Sequence, residues 1–197
     1  MAQRPAAERG GAVRERLLAS ARVLIGELGW NGVSTRVLAQ RAEVRPGLVH
    51  YHFASLPALL RQAALGTMRP MLDEAAALFA AAATPADGAE ALLRHLDRYS
   101  GRDPASLLVA EAYLTATRDE ELRGALAELV AAFHGRLTDS LARAGHPTPE
   151  AAATALMTVL DGFVLHRGLN SELACAPLVP LVRSLVEGRT GPEGEHR

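Results

Sequence analysis

The chain has 197 residues, 49% of them hydrophobic and 22% charged, which places it among globular proteins and excludes a disordered one. A single cysteine, Cys175, excludes an internal disulfide framework or a Cys-rich zinc site. The formal net charge of −1 hides an asymmetry: residues 1–55 carry eight arginines against four glutamates, +4, and the remainder 13 arginines against 18 acids, −5.

A basic head on an acidic body suggests that the head meets a polyanion and the body does not. Charge alone leaves ordinary scatter as an equal alternative. The N-terminal run "MAQRPAAERGGAVRERL" has no apolar stretch of the kind a signal peptide needs, and no apolar run reaches membrane-spanning length. A cytoplasmic location with no membrane partner is the expectation. Scarce aromatics beside abundant Ala and Leu favour helices over sheet.

In chain order, Leu17, Ala21, Leu24, Ile25 and Leu28 recur at helical spacing, and Gly29 follows as a natural C-terminal stop. The first helix is thus expected over 13–28. "GWNGVSTR" reads as a turn in which Ser34 or Thr35 caps a short second helix running to Ala42. After the break "EVR", Pro46 suits the first turn of a third helix, with Val49 and Phe53 four residues apart on an inward face. Ser55 is the next cap, opening a longer helix over "LPALLRQAALGTM", and Pro70 beyond it marks a kink or a boundary. "TPADG" at 84–88 reads as a loop, and helices are expected at 88–100, 104–117, 120–144, 149–168 and 177–187. Asp103 and Asp119 stand as caps, and Gly145 closes a helix. No strand signal rises above background, so the fold class is all-α.

"RPGLVHYHF", residues 45–53, carries the densest chemistry. His50 and His52 sit two apart, and on a helix such residues point about 200° away from each other, so they cannot share a metal ion. No nucleophile or acid has triad spacing to them, so neither a catalytic nor a metal site is expected. A short helix, a three-residue break and a second short helix fit a helix-turn-helix, whose second helix enters the DNA major groove. The outward positions are then Arg45, Gly47, Leu48, His50, Tyr51 and His52. Gly47 removes bulk at the point of close approach, and Tyr51 and His52 can donate to phosphate oxygens. Arg36, on the first turn of the second helix, has the reach for a bidentate contact to guanine. A solvated helical corner remains the alternative at this stage.

The run 17–60 resembles the DNA-binding domain of the tetracycline-repressor (TetR) family. The matching segments are "GWNGVST", "LAQRAEV", "GLVHYHF" and a Ser-x-x-x-Leu-Leu start to the fourth helix. The resemblance implies that Arg36, Arg45, Gly47, Leu48, His50, Tyr51 and His52 face DNA, and that Thr35 caps the second helix and touches phosphate. Three departures stand out. Glu43 replaces a frequent Gly, which implies altered turn dihedrals, Arg45 replaces a small hydroxyl, and Leu56 replaces a frequent Lys. The implied organisation is an N-terminal arm at 1–12, a helix-turn-helix domain at 13–60, a helical ligand-binding and dimerisation domain at 61–187 and a tail at 188–197.

In the body, the helix 149–168 is apolar almost all round and the last helix shows a stripe at Leu178, Leu181, Val182 and Leu185. A helix apolar on several faces needs two partners. A second copy of the chain is one of them, through Leu156, Leu160, Phe163, Leu178, Leu181 and Leu185. Burial within the monomer is the competing reading. Met68, Tyr113, Phe133, His134, Met157 and His166 fall in mid-helix positions where a ligand cavity would open. Cys175 reads as a small buried residue and not a redox sensor.

The expected protein is a homodimeric transcriptional regulator on an inverted-repeat operator in double-stranded DNA, acting as a repressor released by a small lipophilic effector and using no cofactor. A DNA-binding regulator without an effector, activating or architectural, is the rival. A helical enzyme using His134 or His166 lacks a partner acid or nucleophile.

Overall fold

The computed structural model describes residues 6–188, and every regular element among them is helical. The order is α1 (Ala6–Leu28), α2 (Thr35–Arg41), α3 (Gly47–His52), α4 (Leu56–Ala80), α5 (Pro85–Leu96), α6 (Pro104–Ala116), α7 (Glu120–Arg143), α8 (Pro149–Leu169) and α9 (Val179–Glu187). Single 3-10 turns at Trp30–Gly32 and Ala176–Leu178 precede α2 and α9. The protein is all-α, as the periodicity implies.

α1 starts at Ala6, within the stretch expected as an arm. Residues 6–12 lack apolar periodicity, but extending an established helix costs far less than starting one. Residues 1–5 and the tail beyond Gly188 lie outside the described residues. α4 likewise continues through Pro70, where a kink or a boundary is expected, to Ala80, so Pro70 is no boundary. "TPADG" is not a loop. Thr84 caps α5 by accepting from the Asp87 N–H at 3.1 Å, its hydroxyl donates to the Asp87 carboxylate at 2.7 Å, and Pro85 fills the first helical position. Gly88, one turn in, belongs to the helix because Phe79 packs on it so closely that a Cβ would meet that ring at 2.9 Å.

The chain forms two compact units. Of the described residues, the first gathers 6–69 with 103–126, so the expected DNA-binding region shares its unit with α6 and the start of α7. Its core joins Leu17, Leu24 and Ile25 of α1 to Leu38, Val49, Leu59, Leu108 and Leu122. α1 and α6 approach so closely that a Cβ on Gly26 would lie 3.0 Å from the Pro104 carbonyl oxygen. Glu111 of α6 accepts the Trp30 backbone N–H at 2.7 Å, just after α1 has stopped at Gly29, whose φ of 72° suits a residue without Cβ. Arg61 of α4 bridges Asp119 at 2.8 Å and Glu121 at 2.5 Å.

The second unit comprises, of the described residues, 70–102 and 127–188. Its core runs from Phe79, Leu92 and Leu93 through Phe133 and Leu137 to Leu156, Leu160, Phe163, Val182 and Val186. Arg183 of α9 pairs with Asp87 at 2.9 Å and Glu90 at 2.8 Å on α5. Gly101, at φ 73°, lies against Gly168 of α8 with no room for a Cβ on either. Leu156, Leu160 and Phe163 are therefore core residues of their own unit, because α5 and α9 cover that face of α8. The expectation that these three lie at a dimer interface is corrected. Leu156→Ala should cost about 2–5 kcal/mol in urea unfolding, the range for a cavity in a packed core. A cost near zero would return Leu156 to the surface.

Candidate nucleic-acid interface

A six-residue helix such as α3 cannot stand alone in water, so what holds it in place defines the site. α2 begins with the Ser34 hydroxyl accepting from the Val37 N–H at 3.3 Å. Ser34 is the cap; Thr35 occupies the first helical position, half-buried, and the capping role implied for it is corrected. α2 ends in a double closure. The Val44 N–H reaches the Ala39 carbonyl at 3.0 Å and the Glu43 N–H reaches Gln40 at 3.2 Å. This is a Schellman motif, which requires a left-handed residue at its hinge. Glu43 supplies it with φ 54°. The glutamate thus keeps the turn a glycine would make, at the steric cost of a Cβ in that region. Expected changes in the turn dihedrals do not occur.

Pro46 then leads into α3 in helical conformation. Val49 is fully buried and Phe53 nearly so, which turns the opposite face outward. Arg14 of α1 lies over the Phe53 ring at 5.0 Å and donates to Gln62 of α4 at 2.8 Å, tying three helices together at the end of α3. Ser55 caps α4 through the Ala58 N–H at 3.2 Å.

The predicted DNA-facing residues lie around this outward face. Tyr51 is 79% exposed, and His50, Arg36, Arg45 and Gly47 are exposed. A Cβ added at Gly47 would touch nothing within 4 Å. Leu48 and His52 are half-buried, and the His52 ring meets Tyr51 edge-on at 5.0 Å. Arg41 is paired with Glu27 at 2.6 Å, whereas Arg36 and Arg45 have no acidic partner among the described residues. The hydrogen bond from Arg41 holds the Glu27 carboxyl below its usual range. The basic charge of the head is thus partly neutralised on α2 and open at the residues predicted to meet DNA.

The other predicted residues are spread out. Met68 is buried and Tyr113 partly exposed in the first unit. Phe133 is packed in the core of the second, where Met157 is half-buried and His166 exposed. His134 reaches the Thr154 hydroxyl at 3.0 Å and the Glu150 carbonyl at 3.3 Å. A groove of about 250 Å³ between α4 and α7, lined from Asp73 to Ala80 and from Arg136 to Arg143, contains none of these six. Of the expected dimer residues, Leu181 is 67% exposed and Leu178 and Leu185 are half-buried, while Leu165 and Leu169 of α8 are exposed at 58% and 83%. Cys175 is buried; burial and its hydrogen bond to Asp97 push the thiol up to about 11. No helix among the described residues is long and apolar enough to cross a membrane. Sequence reasoning missed Arg14 and Glu111, whose partners lie far along the chain and leave no local signal.

A six-residue helix held outward behind a tight turn, bearing an aromatic, imidazoles and neighbouring unpaired arginines, defines a helix-turn-helix DNA-binding regulator. Residues 17–63 match the family of bacterial regulatory proteins, tetR family, and residues 83–190 match the tetracyclin repressor-like C-terminal domain. The chain is 30% identical over 163 residues to the HTH-type transcriptional regulator BetI of Rhizobium meliloti (strain 1021), covering 80% of this chain and 79% of that one. It is similar in structure to the regulator SCO7518 of Streptomyces coelicolor A3(2), with a TM-score of 0.73, 28% identity, and 88% and 98% of the two chains covered. It is also similar to the multidrug binding protein EbrR, solved with imidazole, with a TM-score of 0.67, 27% identity, and 92% and 97% covered. The chain belongs to the TetR family: it is a DNA-binding transcriptional regulator and not an enzyme.

Replacing Glu43 with Gly should stabilise the head by up to about 1 kcal/mol, since the left-handed conformation costs roughly 1–2 kcal/mol with a Cβ and glycine gives back part of that in unfolded-state entropy. Urea unfolding measures it. A destabilised Glu43→Gly variant would mean that the carboxylate makes a contact that outweighs its strain.

Proposed function

We propose that the chain is a homodimeric repressor that occludes a promoter and is released from its operator by a small lipophilic effector. The observation that carries the DNA-binding part is the outward face of α3, with Tyr51 and Gly47 open while Val49 is fully buried. Thr35, Arg36, Arg45, Gly47, Leu48, His50, Tyr51 and His52 are the residues assigned to DNA. Arg36 and Arg45 suit guanine edges or phosphates, and Tyr51 and the imidazoles suit phosphate oxygens. One short helix reads too few bases for a unique site, so a two-fold dimer on an inverted repeat is the natural arrangement.

The assembly surface is assigned to α8, α9 and the 3-10 turn before α9, through Leu165, Leu169, Leu178, Leu181 and Leu185. Isolated exposed leucines are ordinary, but Leu165, Leu169 and Leu181 are exposed and Leu178 and Leu185 half-buried on α8, α9 and the 3-10 turn between them, a set suited to a self-complementary contact. The effector's lipophilic character is argued from the Ala- and Leu-rich second unit and from likeness to a multidrug binding protein. The rival, a regulator without an effector, draws its support from the packed settings of Met68 and Phe133.

On an operator selected from random DNA, Tyr51→Ala or Arg36→Ala should lose about 1–3 kcal/mol of binding with the melting temperature unchanged. Wild-type affinity in both variants would remove α3 from the interface. Leu181→Glu should sediment as a folded monomer, because an unpaired carboxylate in an apolar contact is costly. A Leu181→Glu variant that still sediments as a dimer would place assembly elsewhere.

A further inference from the structure

α1 meets the last turn of α3 along one strip. Gly10, Arg14, Leu17, Leu18 and Ala21 recur at helical spacing on a single face of α1. Leu17, Leu18 and Ala21 are buried in the core of their unit, and the first two members of the strip run on past it to α3. A Cβ at Gly10 would stand 3.7 Å from His52 Cε1, an ordinary contact distance. One turn later the Arg14 guanidinium lies 5.0 Å from the centre of the Phe53 ring, and its Nη2 donates to Gln62 Oε1 of α4 at 2.8 Å. The His52 ring in turn meets Tyr51 edge-on. Contacts therefore run without a gap from α1 to the most exposed aromatic of the DNA-facing helix.

An arginine beside a DNA-facing helix is ordinarily read as a phosphate ligand. Arg14 differs from Arg36 and Arg45 in its setting. Those two are exposed, whereas Arg14 is half-buried, with its cation over a ring and its donor on a side-chain amide. Drawing it out to a phosphate would break both contacts. The ring it covers is the residue that ends α3, and α3 has six residues with one fully buried side chain. So short a helix has no stability of its own, and the position of its last turn depends on what packs around it. A cation over an aromatic face holds more strongly as water is excluded, and Phe53 is itself 7% exposed.

We propose that Arg14 is a positioning residue for operator recognition: through Phe53 it fixes the last turn of α3, and it sharpens discrimination between operator and other DNA without touching either. This rests on the assignment of α3 to DNA and deepens it. Phosphate contacts carry no sequence information and tolerate a loosely held helix, whereas contacts to base edges require a fixed one. A helix that is correctly placed for only part of the time binds its operator more weakly by that fraction. Loss of the Arg14 brace therefore falls on operator binding and spares binding to unrelated DNA.

The test titrates the full chain, over a series of salt concentrations, with an operator selected from random DNA and with an unrelated duplex of equal length. Arg14→Met keeps the aliphatic stem and removes the cation. It should bind the operator about five- to thirty-fold more weakly per half-site, bind the unrelated duplex as wild type does, and keep the wild-type salt dependence. Arg14→Lys returns a cation to the ring and should recover most of the loss. Gln62→Leu, on an exposed position of α4, should show a smaller loss of the same pattern, and it carries the test if Arg14→Met does not fold. Equal weakening on both duplexes, with the salt slope shallower by about one per subunit, would make Arg14 a phosphate ligand and overturn the inference. Unchanged operator affinity in Arg14→Met and Gln62→Leu overturns it, as does an Arg14→Lys variant no better than Arg14→Met. Tyr51→Ala, run alongside, keeps the two readings apart. Its loss of operator binding beside wild-type behaviour of the brace variants overturns the positioning role alone, and wild-type binding by Tyr51→Ala itself overturns the assignment of α3 to DNA.

Discussion

The burial of Val49 is the interaction on which the DNA-binding face depends. α3 has six residues and one fully buried side chain, and a helix of that length has no stability of its own. Its orientation is fixed at three points: by Val49 in the core, by Phe53 beneath the Arg14 guanidinium, and by the closed turn at Glu43. Only with those three settled do Tyr51, His50 and Gly47 share an outward face. The strain at Glu43 is local, and it is tolerated because both hydrogen bonds of the turn and the buried valine fix the same geometry. Unpaired arginines near that face complete an arrangement that favours a polyanion over a neutral partner.

Those features were legible because they are local. Ser34, Asp103 and Asp119 cap the helices they precede, and Gly29 and Gly145 adopt positive φ where helices stop. Glu43 is instructive: its departure from glycine suggested a changed turn, yet the hydrogen-bond pattern of the turn overrides the side chain's preference. The misread stretches share a cause. "TPADG" has loop composition, but Thr84 and Asp87 cap each other and Phe79 packs on Gly88, a contact made across the turn. Pro70 suggests a kink or a boundary, and of the two the boundary does not occur, since one missing N–H in a 25-residue helix does not end it.

The body resists reading for a physical reason. Leu156, Leu160 and Phe163 have the same composition as residues that cover a subunit surface, and only packing decides that they face α5 and α9. Arg14 and Glu111 were invisible likewise, since each acts on a residue tens of positions away.

The central claim is that α3 enters the major groove in two symmetry-related copies. Methylation interference on a selected operator tests it most directly, because dimethyl sulfate modifies guanine at N7 in the major groove and adenine at N3 in the minor groove. The account predicts interference at guanine N7 in two clusters related by two-fold symmetry and separated by about one helical turn or a multiple of it. Interference confined to adenine N3, or a single asymmetric cluster, would contradict it.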